Sequence, residues 1–280
     1  MTGLPEQGSM ALWLRQIRAV ISLEWQRYLF GRRAIPLYLL ALMPVAGFVA
    51  NLTVRTFGVE PLETSEAMTV FSWSFNLLTL RFVVFFGCVT IFTNLFRAEI
   101  ASKSLHYYFL VPIRREVLTI GKYLAGLISA MILFSLSTIM SYMLLFASTG
   151  SEAMSRWFSQ GNGISHMLAY VGITILGCLG YGAVFLGIGV FFKNPVIPAV
   201  LFYGLEMANF MLPVLLKKFS VVHYLNSLMP VPITEGAFFA VIAEPTPAWI
   251  AIIGILVFTA LVLTATALVV RRMEIKYTTE

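Results

Sequence analysis

Apolar and polar positions divide the 280-residue chain into six apolar runs separated by polar breaks. The runs lie at about 34–54, 68–96, 117–146, 164–192, 196–216 and 250–270, and each is long enough to cross a hydrocarbon core of ~30 Å as a helix. None alternates with a period of two, which argues against barrel strands. Ahead of the first run, residues 11–33 place Leu12, Ile17, Val20, Ile21, Trp25 and Leu29 broadly on one helical side and Arg15, Arg18 and Arg27 elsewhere. That pattern predicts an amphipathic helix lying in the headgroup plane. Pro36 opens the first run, and Pro44 inside it predicts a kink. Residues 217–249 hold apolar patches broken by Pro230, Pro232, Gly236, Pro245 and Pro247; they predict two short helices that dip into the external membrane edge and return. The expected fold is an all-α polytopic membrane protein. Residues 1–33 form the tail and amphipathic helix, and residues 34–280 the six-helix membrane domain.

One polar break stands apart. Residues 97–122, RAEIASKSLHYYFLVPIRREVLTIGK, carry five cations, two carboxylates and three consecutive aromatics between two strongly apolar runs. This pattern predicts a loop with a short surface helix offered to a soluble partner.

Composition sharpens the picture. The chain is 59% hydrophobic and 11% charged, against about 25% charged in soluble domains. The net charge of +6 suggests nucleic acid at first sight, but the cations cluster at span edges, where topology and lipid contact place them. With the N-terminus cytoplasmic, only Arg55, Arg156, Lys217 and Lys218 fall outside, and the other loop cations, those of 97–122 included, fall inside. The positive-inside rule therefore puts both termini and the 97–122 loop in the cytoplasm. The polar start MTGLPEQGSM lacks a charged-then-apolar signal pattern, so no cleaved signal is expected. Cys88 and Cys178 fall within apolar runs and read as buried small hydrophobes rather than a disulfide or metal pair. The glycines of the fourth run (Gly172, Gly177, Gly180, Gly182, Gly187, Gly189), with Ala183-xxx-Gly187, read as helix-packing positions.

The chemistry these residues exclude is informative. There is no aspartate, so an Asp-held divalent metal at a phosphate and a Walker B carboxylate are both absent. Gly121-Lys122 lacks the glycine spacing and following hydroxyl of a P-loop. His106, His166 and His223 are scattered and form no metal-ligand pattern. Any nucleotide that drives this chain is bound by another chain.

Layout and loop together resemble the permeases of ABC exporters, ABC-2 type. Those permeases have a leading amphipathic helix, six spans, a cytoplasmic helix between spans two and three, and a re-entrant external segment between five and six. The local match is Glu99, Ser104-Leu105, Pro112-Ile113-Arg114-Arg115 and Gly121-Lys122. Val111 stands where a small hydroxyl residue is common, and Arg114 replaces a small residue. The resemblance implies two soluble ABC ATPase subunits, a second permease copy or paralogue, and ATP and Mg2+ bound on the ATPases, with no cofactor in this chain. The short loop helix docks in an ATPase groove on this reading, with Leu105, Tyr107, Tyr108 and Phe109 as its apolar knob. Glu99, Lys103, Arg114 and Arg115 orient it. The bland alternative is an aromatic belt with topology-setting cations.

Arg81 in the second run and Glu206 in the fifth are charges inside the membrane, each costly if left facing lipid. They read as a structural pair, as Arg81 snorkelling outward with Glu206 protonated, or as part of a path for an amphiphilic substrate, together with Asn76 and Asn209. Ser72, Ser74 and Thr79 join the polar set. The leading function is the membrane subunit of an ATP-driven exporter for an amphiphile, drug, peptide or polymer. Alternatives are a mechanotransmission or scaffold subunit, an ion-coupled secondary transporter, or a membrane-embedded enzyme.

Overall fold

The computed structural model describes residues 10–29, 31, 34–58, 60–101, 114–211, 213, 217, 220–233 and 246–272. Among these residues every regular element is helical. Helix α1 spans Met10–Leu29 and α2 Ile35–Thr56. A continuous helical rod follows, made of α3 (Thr64–Ser74), π-helical turns (Phe75–Val84) and α4 (Phe85–Ala101). Then come α5 (Arg115–Ala147), α6 (Ser151–Ser159) and α7 (Gly163–Phe191). Helix α8 (Val196–Met207) runs into a 3-10 turn, Ala208–Met211, and α9 (Val221–Ser227) and α10 (Ala248–Arg272) complete the fold.

Five helical stretches are long and apolar enough to cross a membrane: α2, the α3–α4 rod, α5, α7 and α10. The chain is a multi-pass membrane-embedded helical protein. Of the run expected as the fifth of six spans, the described residues show the 12-residue α8, about 18 Å long, and the 3-10 turn Ala208–Met211 that follows it; residues 212 and 214–216 lie outside the described residues. Pro44 lies inside α2 without ending it.

The centre of the bundle is α4 against α7 and α5. Its glycines mark the closest approaches. A Cβ on Gly189 would stand 2.8 Å from the Thr93 carbonyl oxygen and 2.9 Å from the Thr93 Cα. Gly182 lies under the Phe92 ring, Gly87 under the Phe134 ring, and Gly187 faces Thr266 of α10. Small residues let backbones meet where apolar lipid supplies no hydrophobic drive for association. The packing role expected of the α7 glycines is visible at Gly182, Gly187 and Gly189; Gly172, by contrast, faces open space. Cys88 and Cys178 are buried free thiols. Toward the α6 end of the bundle, Phe48, Phe71, Phe75, Tyr142 and Tyr170 form a ring cluster with several edge-on contacts near 4.8 Å, a favoured aromatic geometry. Helix α6 closes over it, Trp157 stacking on Phe146 and donating to the Tyr142 hydroxyl at 3.1 Å.

Helix α1 rests on protein along one side. Arg114 lies 5.0 Å over the Trp13 ring, Val20 faces Gly121, and Glu24 reaches Lys122. These contacts advance together along both chains, so α1 runs beside the first turns of α5 in the same direction. Its opposite side exposes Met10, Leu14 and Leu23 together with Arg15 and Arg18.

Candidate functional site: a buried ion triad and a mid-bundle helix break

Two polar constellations stand out in an otherwise apolar bundle. The first lies at the root of the 97–122 segment, where α1, the end of α4 and the start of α5 converge. Lys122 Nζ donates to Glu24 Oε1 at 2.8 Å, Glu99 Oε1 at 2.5 Å and the Leu95 carbonyl at 3.1 Å. Three acceptors match the three N–H donors of an ammonium. All three ionic side chains are sealed from solvent, with Lys122 at 0% exposure, Glu24 at 3% and Glu99 at 2%. The Phe96 ring lies 5.6 Å from the ammonium. Burying ions costs several kcal/mol each, and hydrophobic replacements of similar volume are often as stable. What such a triad supplies is register: it fixes three helices, distant in sequence, to one point. Nearby, Arg97 donates to the Phe192 carbonyl and fastens the same end of α4 to α7.

The second constellation sits at the break between α8 and α9. Glu206 accepts from the backbone N–H groups of Val221 and Val222 at 3.0 Å each, from Ser220 Oγ at 3.1 Å and from the Tyr181 hydroxyl at 3.2 Å. It thus shares the capping of α9 with Ser220, the N-cap residue, whose Oγ accepts from the His223 N–H at 3.3 Å; together they supply acceptors to first-turn donors that have no partner within the helix. Asn209 Nδ2 donates to Ser220 Oγ at 2.5 Å. Arg81, on the π-helical turns, donates to the Met207 carbonyl at 3.4 Å, one residue beyond Glu206. The same turns hold α9 from the side, where Asn76 Nδ2 donates to Asn226 Oδ1 at 2.5 Å, and the end of α3 holds the segment after α9, where Ser72 Oγ donates to the Val231 carbonyl at 2.7 Å. Val221 meets Gly180 and Leu225 meets Gly177 of α7, so α9 is inserted among the long helices well below their ends. On the outward side of this break, the Phe82, Phe86 and Tyr203 rings pack at 4.9–5.1 Å and stay half-exposed.

Of the residues singled out in sequence, Glu99 joins the triad, Arg114 stacks on Trp13, and Arg115 Nη1 donates to the Arg271 carbonyl at 3.1 Å. Lys103, Leu105, Tyr107, Tyr108 and Phe109 lie outside the described residues. Arg81, Glu206, Asn76 and Asn209 come together around α9. Glu24 was not singled out, although it is the one carboxylate of α1 and sits four residues from Val20 on the buried side. Ser220 and Asn226 were also missed, because short helices predicted from apolar patches broken by prolines give no register by which to pair their polar residues with another helix. Among the described residues no group of three or more His, Cys, Asp or Glu side chains could hold a metal. Compared with protein-family models, curated proteins and solved structures, the chain matches none.

Proposed function

We propose that this chain is the membrane permease subunit of an ATP-driven ABC exporter, ABC-2 type, which moves an amphiphilic or polymeric substrate outward. The observation that carries the reading is the buried Glu24–Lys122–Glu99 triad at the root of the 97–122 loop. A loop that serves only to connect two spans has no need of three buried ions at its base. A loop that receives a push needs a stiff root, and the triad joins it to α1, α4 and α5 at once. Force reaching a docking helix within 97–122 then travels into α4 and α5 through packed contacts. From α4 it passes along the rod to the π-helical turns and α9.

On this reading α8 and its 3-10 turn form the fifth of six membrane segments, α9 with its flanks is the re-entrant external segment, and α1 is the interfacial helix. Both termini and the loop are cytoplasmic, in the inner membrane. The partners are two ATPase subunits, which hold ATP and Mg2+, and a second permease copy or paralogue. The second copy follows from the resemblance to the exporter permeases. The substrate meets the outward face at Phe82, Phe86 and Tyr203, beside Arg81.

The test is purification in mild detergent with identification of co-eluting chains, followed by ATPase and transport assays on the reconstituted assembly. Co-elution of an ABC ATPase whose turnover depends on this chain is the expected result. Full transport by the isolated chain without any nucleotide-hydrolysing companion would overturn the proposal.

A further inference from the structure

At the end of the bundle where α5 begins and α10 stops, a cup of about 390 Å³ is lined by Arg114, Arg115, Glu116 and Arg271. Three guanidiniums thus share it with one carboxylate among the described residues. They come from two helices held in contact: Arg115 Nη1 donates to the Arg271 carbonyl at 3.1 Å, and Arg271 Nε lies 3.5 Å from Glu116 Oε1. The bridge is open to solvent, with Arg271 68% exposed and Glu116 37%, so it neutralises little of the local charge. Arg272 is the next residue and is also exposed. Like charges so arranged repel, and an anion between them relieves the repulsion.

Two observations decide which anion. The helix that brings Arg271 is α10, which exposes Leu268, Leu261 and Val257 in the turns before it. In a membrane-embedded chain such side chains meet acyl chains, so a lipid whose headgroup sits on the guanidiniums has apolar protein surface beside its tails, which a soluble acidic protein does not use. Arg114 also stacks on Trp13, and tryptophan beside a cation is the pairing found at headgroup level. Basic pockets between helices on the cytoplasmic side recognise phosphate-bearing headgroups. We infer that this cup binds the headgroup of an anionic phospholipid, with a diphosphate headgroup spanning Arg114 and Arg271 better than a monophosphate one. The lipid staples the root of α5 to the end of α10. This inference needs only a membrane-embedded chain and is independent of the exporter reading.

The experiment is native mass spectrometry of the purified full chain, titrated with cardiolipin, phosphatidylglycerol or phosphatidylcholine, with inorganic pyrophosphate as the soluble phosphate arm. Wild type should retain one cardiolipin in preference to phosphatidylglycerol, and phosphatidylcholine least. Arg114→Gln/Arg271→Gln should weaken cardiolipin about 25-fold, at roughly fivefold per charge removed beside an anionic surface. Arg15→Gln/Arg18→Gln on the exposed side of α1 should leave it unchanged. A charge-keeping Arg114→Lys/Arg271→Lys variant, which guards against misfolding, should retain the preference for anionic lipid. Equal retention of all three lipids, equal loss in the α1 variant, or displacement of cardiolipin by millimolar pyrophosphate would overturn the inference. So would unchanged lipid binding in the Gln variant alongside lost association with an acidic protein partner.

Discussion

Replacing Lys122 by Met removes the one cation between two buried carboxylates. In the wild type the ammonium lies 2.5 Å from Glu99 and 2.8 Å from Glu24, none of the three more than 3% exposed. Methionine fills nearly the same volume, so packing loss is small and the effect is electrostatic. Breaking a buried pair from one side costs about 3–5 kcal/mol, because the charge left behind is uncompensated; here two are left. The triple variant Glu24→Met, Glu99→Met, Lys122→Met removes all three ions. It should be neutral or gain up to about 4 kcal/mol, as hydrophobic replacement of buried ion clusters does. Reversible unfolding of the full chain in mixed micelles measures both. The triple variant then becomes the informative protein: stable, but without the ionic register that ties α1 and α4 to α5. On the exporter reading, a complex carrying it should keep ATPase activity and lose transport coupling. A loss below about 1 kcal/mol in Lys122→Met, or a triple variant as unstable as the single, would refute the argument.

Two further outcomes follow from the geometry and a third from the sequence. Gly189→Ala places a methyl 2.8–2.9 Å from the Thr93 backbone, which cannot yield as a side chain can; it should destabilise by at least ~1–3 kcal/mol, while Gly172→Ala, facing open space, should not, as thermal unfolding in detergent will show. Glu206→Gln turns an amide N–H toward the Val221 or Val222 N–H, so it should cost ~1–3 kcal/mol and speed hydrogen exchange in α9; unchanged exchange would remove Glu206 as the cap. On the exporter reading, and from the sequence of the 97–122 loop rather than from its geometry, Tyr108→Ala and Leu105→Asp should separate ATP hydrolysis from transport without affecting membrane insertion; intact coupling in both would refute the docking role of these residues.

The long helices were legible because their apolar runs exceed what a soluble core helix needs, and the 97–122 break was legible because nothing else interrupts those runs so heavily. Bounds agree closely for α5 and α7, where the polar flanks are sharp. The change from α8 to a 3-10 turn at Ala208 was not legible: Val196 to Leu216 is uniformly apolar apart from Glu206 and Asn209, and hydropathy does not register a change of backbone geometry. Nor was the role of Glu206, since the donors that engage it belong to residues 220–222 and to Tyr181. Glu24 was hidden for a similar reason. On an amphipathic helix a lone carboxylate reads as part of the wet side, and only Lys122, 98 positions away, makes it part of the dry one. Arg81 and Glu206 were visible as anomalies, but their separate duties at the two sides of one helix break needed coordinates.

The ten residues from Phe75 to Val84 wind with more residues per turn than the helices on either side. Phase along the rod is therefore not conserved: the part before these turns aims Ser72 at the Val231 carbonyl, while the part after them aims Phe92 and Thr93 at α7. Excising a single residue there shifts one set of side chains about 100° around the axis relative to the other. Few point substitutions in this stretch would do as much harm, so its length, more than its composition, is what natural variation must leave alone.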